Sequence, residues 1–169
     1  LHKEYRRQRQ MCIRDRLITV GKTSASYLRE GELEYQKRLR HYMNFERVDL
    51  NDLKVSNKTS PYEVKKKEAQ IILKELKPMD RVVLLDEKGK DFSSLDFSKW
   101  FEKQTLSGVK NLVFVIGGAF GFDKYIYERA NDQIRLSSLT FSHQMVRLFF
   151  LEQLYRSGTI LKREKYHHQ

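Results

Sequence analysis

The apolar run LVFVI (112–116) ends on GGAFG (117–121), where glycines leave backbone N–H and C=O groups open to close contact with a small molecule. The spacing is G-G-x-x-G, not the G-x-G-x-x-G of a dinucleotide site, and no G-K-[ST] follows it as a P-loop requires. Nicotinamide and nucleoside triphosphate chemistry therefore lose support, and a tight strand-to-helix turn is the plain alternative. Further on, LSSLTFSHQMVR (136–147) places the hydroxyls of Ser137, Ser138 and Thr140 in a loop before a long helix, where they could line a pocket. Helix capping, with Ser142 as the cap, would explain the same residues. His143 beside that helix N-terminus is biased toward its neutral form. No G-x-S-x-G supports a serine nucleophile, and no H-x-x-x-H or carboxylate pairing suggests a metal, so neither is expected.

The helix beginning MVRLFFLEQLYR (145–156) carries Arg147, Glu152 and Arg156. Glu152 and Arg156 are spaced i, i+4, which suits a simple ion pair; the functional alternative has Arg156 holding a phosphate or a base edge. Val146, Phe149, Phe150 and Leu154 give this helix a wide apolar surface, fit for full burial or for a second subunit. The terminal KREKYHHQ (162–169) combines cations, an aromatic ring and two histidines, a composition for gripping phosphate and stacking on a base. A frayed tail is its bland counterpart.

The elements needed to position these groups alternate along the chain. LITV (17–20), Phe45–Leu50, RVVLLD (81–86), LVFVI and Ile134–Leu136 read as strands. Helices are expected over Tyr27–Tyr42, from Pro61 to Pro78 with Val64, Ile71, Ile72 and Leu76 inward, from a Ser93–Asp96 capping box, near Asp123–Ala130, and from Ser142 past Tyr155. DEKGK (86–90) reads as a polar turn. Such alternation predicts an α/β fold with a parallel sheet covered by helices on both faces. Ligands of such sheets bind where strands end, so the informative loops follow Leu85, Ile116 and Leu136.

Composition sets the class. The 169 residues hold 33 Lys and Arg against 22 Asp and Glu, a net +11, with a pI near 9.7. Hydrophobic residues at 40% and aromatics at 12% exceed what a disordered chain carries, so the charge points to an anionic partner of a folded domain. No run of 18 apolar residues and no signal-peptide stretch argue against a membrane. A single cysteine, Cys12, excludes a disulfide scaffold and fits a cytoplasmic location. Residues 1–16 carry +4 of the charge and read either as a basic arm or as an extension foreign to the domain, with Met11 as an internal start. The domain expected over 17–169 keeps 27 basic against 20 acidic residues, a net +7.

VVLLDEKGKDFSS, LVFVIGGAFGF, LSSLTFSHQMVRLFFLEQLYR and the terminal YHH, in this order, resemble the ribosomal large-subunit methyltransferase H family, and LITVGK (17–22) resembles its opening strand. These are SPOUT-class enzymes that methylate N3 of a pseudouridine in the helix 69 loop of 23S rRNA. The resemblance covers 17–169 and implies a C-terminal trefoil knot, S-adenosyl-L-methionine as cofactor and a homodimer. It places cofactor contacts on Leu85, Gly117, Leu136, Ser137, Ser138, Leu139, Thr140 and Phe141. It makes His167, Arg156 and Tyr166 the groups for substrate orientation or proton transfer, and His143, Arg147 and Glu152 the candidate RNA contacts. Three departures stand out: Ala119 where Pro is frequent, Ser157-Gly158 for an Ala-aromatic pair, which predicts an early helix end, and Arg163 and Lys165 for Gly and Pro. A non-enzymatic RNA-binding α/β protein, or a methyltransferase acting on a tRNA base, would share the basic charge; saturable cofactor binding separates the first.

Overall fold

A computed structural model describes residues 13–53 and 58–167. Most of the basic N-terminal segment, with Cys12, lies outside them. The chain forms β1 (Arg14–Val20), α1 (Ser26–Leu39), β2 (Asn44–Leu50), α2 (Pro61–Glu75), β3 (Arg81–Asp91), α3 (Ser94–Leu106), β4 (Asn111–Ile116), α4 (Lys124–Arg129), β5 (Asp132–Arg135) and α5 (Met145–Leu161). All strand pairs are parallel, in the order β2-β1-β4-β3-β5. The expected α/β sheet, covered on both faces, is present.

Period-two alternation divides the core. Leu17, Val83, Leu85, Leu112 and Phe114 face one layer, where Leu39 of α1, Phe97 and Phe101 of α3, and Phe150, Leu151 and Leu154 of α5 pack. Ile18, Val82, Leu84, Val113 and Val115 face the other, against Ala69 and Ile72 of α2 and Ile126 of α4. Central strands buried on both sides explain the continuous apolar runs of RVVLL and LVFVI.

Local chemistry fixes the helix ends. Ser60 and Glu63 close a capping box ahead of Pro61 at the first helical position. Ser93 accepts the Asp96 N–H at 3.1 Å, while the Asp96 carboxylate takes the Ser93 hydroxyl at 2.7 Å rather than its backbone N–H. The cap position of α5 falls on Gln144, which makes no side-chain cap, rather than on Ser142. Ser142, two residues earlier, still accepts the Met145 N–H at 3.2 Å on its hydroxyl and the Val146 N–H at 3.1 Å on its carbonyl.

Several boundaries move. β1 begins at Arg14 rather than Leu17, and Ile13, Asp15 and Arg16 are buried with it. β3 runs past the expected turn at DEKGK: Leu85 and Lys90 both pair with Ile134, so residues 86–89 bulge from the strand. Gly89 permits this, since a Cβ there would lie 2.5 Å from the Ile134 carbonyl carbon. The expected break at Ser157-Gly158 does not occur. α5 continues to Leu161 because Gly158 lets Tyr42 lie against the helix, and Ser157 returns its hydroxyl to the Leu154 carbonyl at 2.7 Å. The helix closes on Arg163 and Glu164, whose N–H groups reach the carbonyls of Ile160 and Thr159 at 2.9 Å each. This closure holds Arg163 at φ 58°, a left-handed conformation that costs a residue other than glycine about 1–2 kcal/mol.

Candidate functional site: a glycine-walled cleft at the strand ends

The bulge of β3 and the loops leaving the carboxyl ends of β4 and β5 surround one cleft of about 600 Å³, a volume suited to a small ligand. Of the residues singled out for the cofactor, Leu85, Gly117, Leu136, Ser137, Leu139, Thr140 and Phe141 line it, and Ser138 does not. Gly121, at φ 75°, makes the turn that folds the glycine loop over the cleft, closed by its N–H on the Gly118 carbonyl at 3.3 Å. Ser137 accepts the Leu139 N–H at 2.9 Å, a turn that shapes the hydroxyl-rich loop and leaves Leu139 73% exposed.

Cleft residues outside the sequence reading come from the bulge of β3 and from two helices. Asp86 accepts the Tyr127 hydroxyl at 2.7 Å and the Lys88 N–H at 2.8 Å, so its carboxylate is held at the cleft wall. Burial, then the Asp86 carboxylate, raise the Tyr127 pKa and keep the phenol protonated. Asp86 directly follows Leu85 at a strand end, which was a usable signal. Tyr127 gave none, because its place depends on how α4 returns to the sheet. Lys65 lines the cleft with Lys88 and Arg135, so the cleft wall carries cations beside its carboxylates.

His143 also lines the cleft. Burial, then the neighbouring Arg147 charge, lower its pKa against the opposing pull of Asp52. The imidazole is therefore neutral near pH 7 and able to accept a proton.

Arg147 does not do what was expected of it. Only 1% exposed, it donates to the Val20 carbonyl at 2.6 Å, the Gly21 carbonyl at 2.9 Å and Thr23 Oγ1 at 3.1 Å. Its fork ties α5 to the end of β1 and cannot reach RNA. This corrects the RNA-contact expectation.

Arg156, Tyr166 and His167 form a second cluster, none of them lining the cleft of the same chain. Glu152 is its hub: it pairs with Arg156 and accepts the Tyr166 hydroxyl at 3.0 Å. Arg156 also lies over the Tyr166 ring at 4.8 Å and meets His167 Nδ1 at 3.4 Å, and Tyr35 reaches the Tyr166 hydroxyl at 3.3 Å. Burial first, then its bonds to Tyr35 and Glu152, raise the Tyr166 pKa. Glu152 is thus occupied as an internal anchor rather than offered to a nucleic acid. Tyr166 and His167 are thus held against α5, and Tyr166 also against Tyr35 of α1.

The cleft suits S-adenosylmethionine on its own terms. Leu85, Leu136, Phe141 and Val146 offer apolar surface for a base, glycine backbone allows close approach, and the Asp86 carboxylate suits a cationic or hydroxyl-bearing group.

Comparison with known proteins agrees with this architecture. Residues 13–167 match the family described as Predicted SPOUT methyltransferase. The chain is 50% identical over 153 residues to the ribosomal RNA large subunit methyltransferase H of Parabacteroides distasonis, covering 90% of this chain and 98% of that protein. The protein of the same name from Cytophaga hutchinsonii is 50% identical over 152 residues, 90% of this chain and 97% of that protein. That of Flavobacterium johnsoniae is 49% identical over 154 residues, 91% of this chain and 98% of that protein. With a cleft on the strand ends of a parallel sheet and matches along nearly its whole length, the chain belongs to the ribosomal RNA large subunit methyltransferase H family of SPOUT methyltransferases.

Proposed function

We propose that this protein methylates N3 of a pseudouridine in the helix 69 loop of 23S rRNA, using S-adenosyl-L-methionine, in the cytoplasm and on assembled ribosomes. The observation that carries the reading is the meeting of the β3 bulge with the loops after β4 and β5 in one glycine-walled cleft, in a chain of this family. Bound there, the cofactor supplies a methyl group on a sulfonium, ready for in-line displacement. The loops 117–121 and 136–141 hold its two ends through backbone groups, and the C-terminal segment threads the trefoil knot of the family.

The chain's remaining work is positional and electrostatic. Lys65 and Lys88, which line the cleft, meet phosphates of the RNA. Arg156 and Tyr166, fixed by Glu152, orient the pseudouridine, and His167 receives the N3 proton, with neutral His143 near the cofactor end. Because the tail cluster and the cleft stand apart in one chain, the protein acts as a homodimer in which one protomer's tail serves its partner's cleft. Among the described residues no helix is long and apolar enough to cross a membrane.

Labelled cofactor offered with assembled ribosomes, free 23S rRNA and tRNA, each with and without pseudouridine, tests the reading. Transfer is expected only to pseudouridine-containing ribosomes. No transfer to any pseudouridine-containing large-subunit RNA would sink it. His167→Ala is expected to lower the rate roughly 100-fold with cofactor affinity unchanged, the scale of a lost proton acceptor. Full transfer by that variant removes His167 from the chemistry.

A further inference from the structure

Glu68 is a carboxyl group in the wrong place for stability. It sits on the inner face of α2 beside Val64, Ala69 and Ile72, 8% exposed, and its Oε2 has no hydrogen-bond partner among the described residues. Among the described residues no cation pairs with it, and the charged group facing it is another carboxylate, Asp52. Burying a carboxyl on these terms costs folding free energy, so its role should be sought in what it touches.

It touches the glycine loop. The Glu68 carboxyl lies against Gly118, where a Cβ would come within 2.3 Å of Oε1, and the Gly118 backbone N–H is turned toward it. Gly117 and Gly118 line the cleft, whereas Glu68 stands behind them and does not. The peptide joining the two glycines is trans, as are all described peptides. In a trans peptide the N–H and C=O point in opposite directions. A Gly118 N–H drawn back toward α2 therefore sends the Gly117 carbonyl the other way.

We propose that Glu68 is the positioning residue for cofactor binding: it fixes the Gly117–Gly118 peptide so that the Gly117 carbonyl oxygen is presented to S-adenosylmethionine as an acceptor. The inference rests on the reading that the cleft takes this cofactor. Glycine at 118 follows from the same contact, since any side chain would displace the carboxyl. With no Cβ at either position the peptide could flip readily, and the carboxyl removes that freedom.

Calorimetric titration of the full-length protein with S-adenosylmethionine and with S-adenosylhomocysteine, beside thermal melts, tests this in Glu68→Leu and Glu68→Gln. Glu68→Leu should weaken both ligands about 10-fold or more, the scale of a lost hydrogen bond, with its melting temperature unchanged or raised. In turnover the loss should appear in the KM for cofactor and not in kcat. Glu68→Gln keeps an acceptor oxygen and should stay within about 3-fold of wild type. Amide exchange at Gly118 in the ligand-free protein should be slow in wild type and Gln, and fast in Leu. Wild-type affinity in Glu68→Leu overturns the positioning role alone. So does a fall of affinity in step with melting temperature, or a Gln variant as weak as Leu. Absence of saturable binding by the wild type overturns the cofactor reading, and this role with it; the Gly118 exchange rates then still report whether the carboxyl holds the peptide.

Discussion

Asp15→Val should stabilise the protein, by about 1–3 kcal/mol near pH 4 and by more as the pH rises toward 8. Asp15 sits in β1 between Ile13 and Leu17, paired with Phe45 and Leu112 on the neighbouring strands, and is 1% exposed. Its Oδ1 has no partner. Burial pushes its pKa up to about 8 from an ordinary 3.8. Between those values the folded chain binds a proton that the unfolded chain releases, so stability falls as pH rises, with a slope approaching about 1.4 kcal/mol per pH unit. Above about 8 both states are ionised and the loss levels off. Integrated over that window, the penalty has an upper bound of about 6 kcal/mol. Valine suits a strand and adds little volume. Urea midpoints at pH 5 and pH 8 measure the effect: the wild type should lose stability between them and the variant should not. Equal midpoints for the two proteins at pH 8 would refute the account.

The opposite result is expected of Arg147→Met, a loss of about 3–5 kcal/mol, the scale for removing one member of a buried charged network. Thr23, held by Arg147, also donates to Glu32 Oε1 at 2.9 Å; Glu32 pairs with Arg47, and Arg47 with Asp49 at 2.7 Å. Asp49 in turn accepts the Thr19 hydroxyl at 2.7 Å. Removing Arg147 takes a charged donor from each of two strand-end carbonyls and leaves the Glu32, Asp49 and Asp52 charges with one cation fewer. Arg147→Lys should recover little, since an ammonium cannot reproduce the planar fork. For a chain of this size the thermal midpoint should fall by about 10 °C. An unchanged midpoint with weakened RNA binding would restore the RNA-contact role.

The three cleft loops could be read from sequence because a parallel sheet forces its functional loops to strand ends, and RVVLL and LVFVI mark those strands without ambiguity. The bulge at 86–89 could not, since a polar stretch inside a strand and a polar turn have the same composition. Arg147 misled for a related reason. A basic residue one turn into a helix looks solvent-facing until the fold shows three acceptors converging on it. Glu68 was passed over among the lysines of α2, since its neighbour Gly118 lies 50 residues away in sequence. Charge alone does not tell a buried role from an exposed one.

The Arg147 fork joins residues 126 and 127 positions apart, and β1 takes β4, starting at Asn111, as its inner neighbour. Nearly the whole chain must therefore leave the ribosome before the first strand has its partners. High contact order of this kind slows folding, because loop-closure entropy is lost before the long-range contacts repay it. Until α5 arrives, the end of β1 lacks the Arg147 donors, and early pairing of β1 is limited to β2 on its outer side. The same late closure guards the finished molecule, since opening it requires both ends of the sequence to separate together.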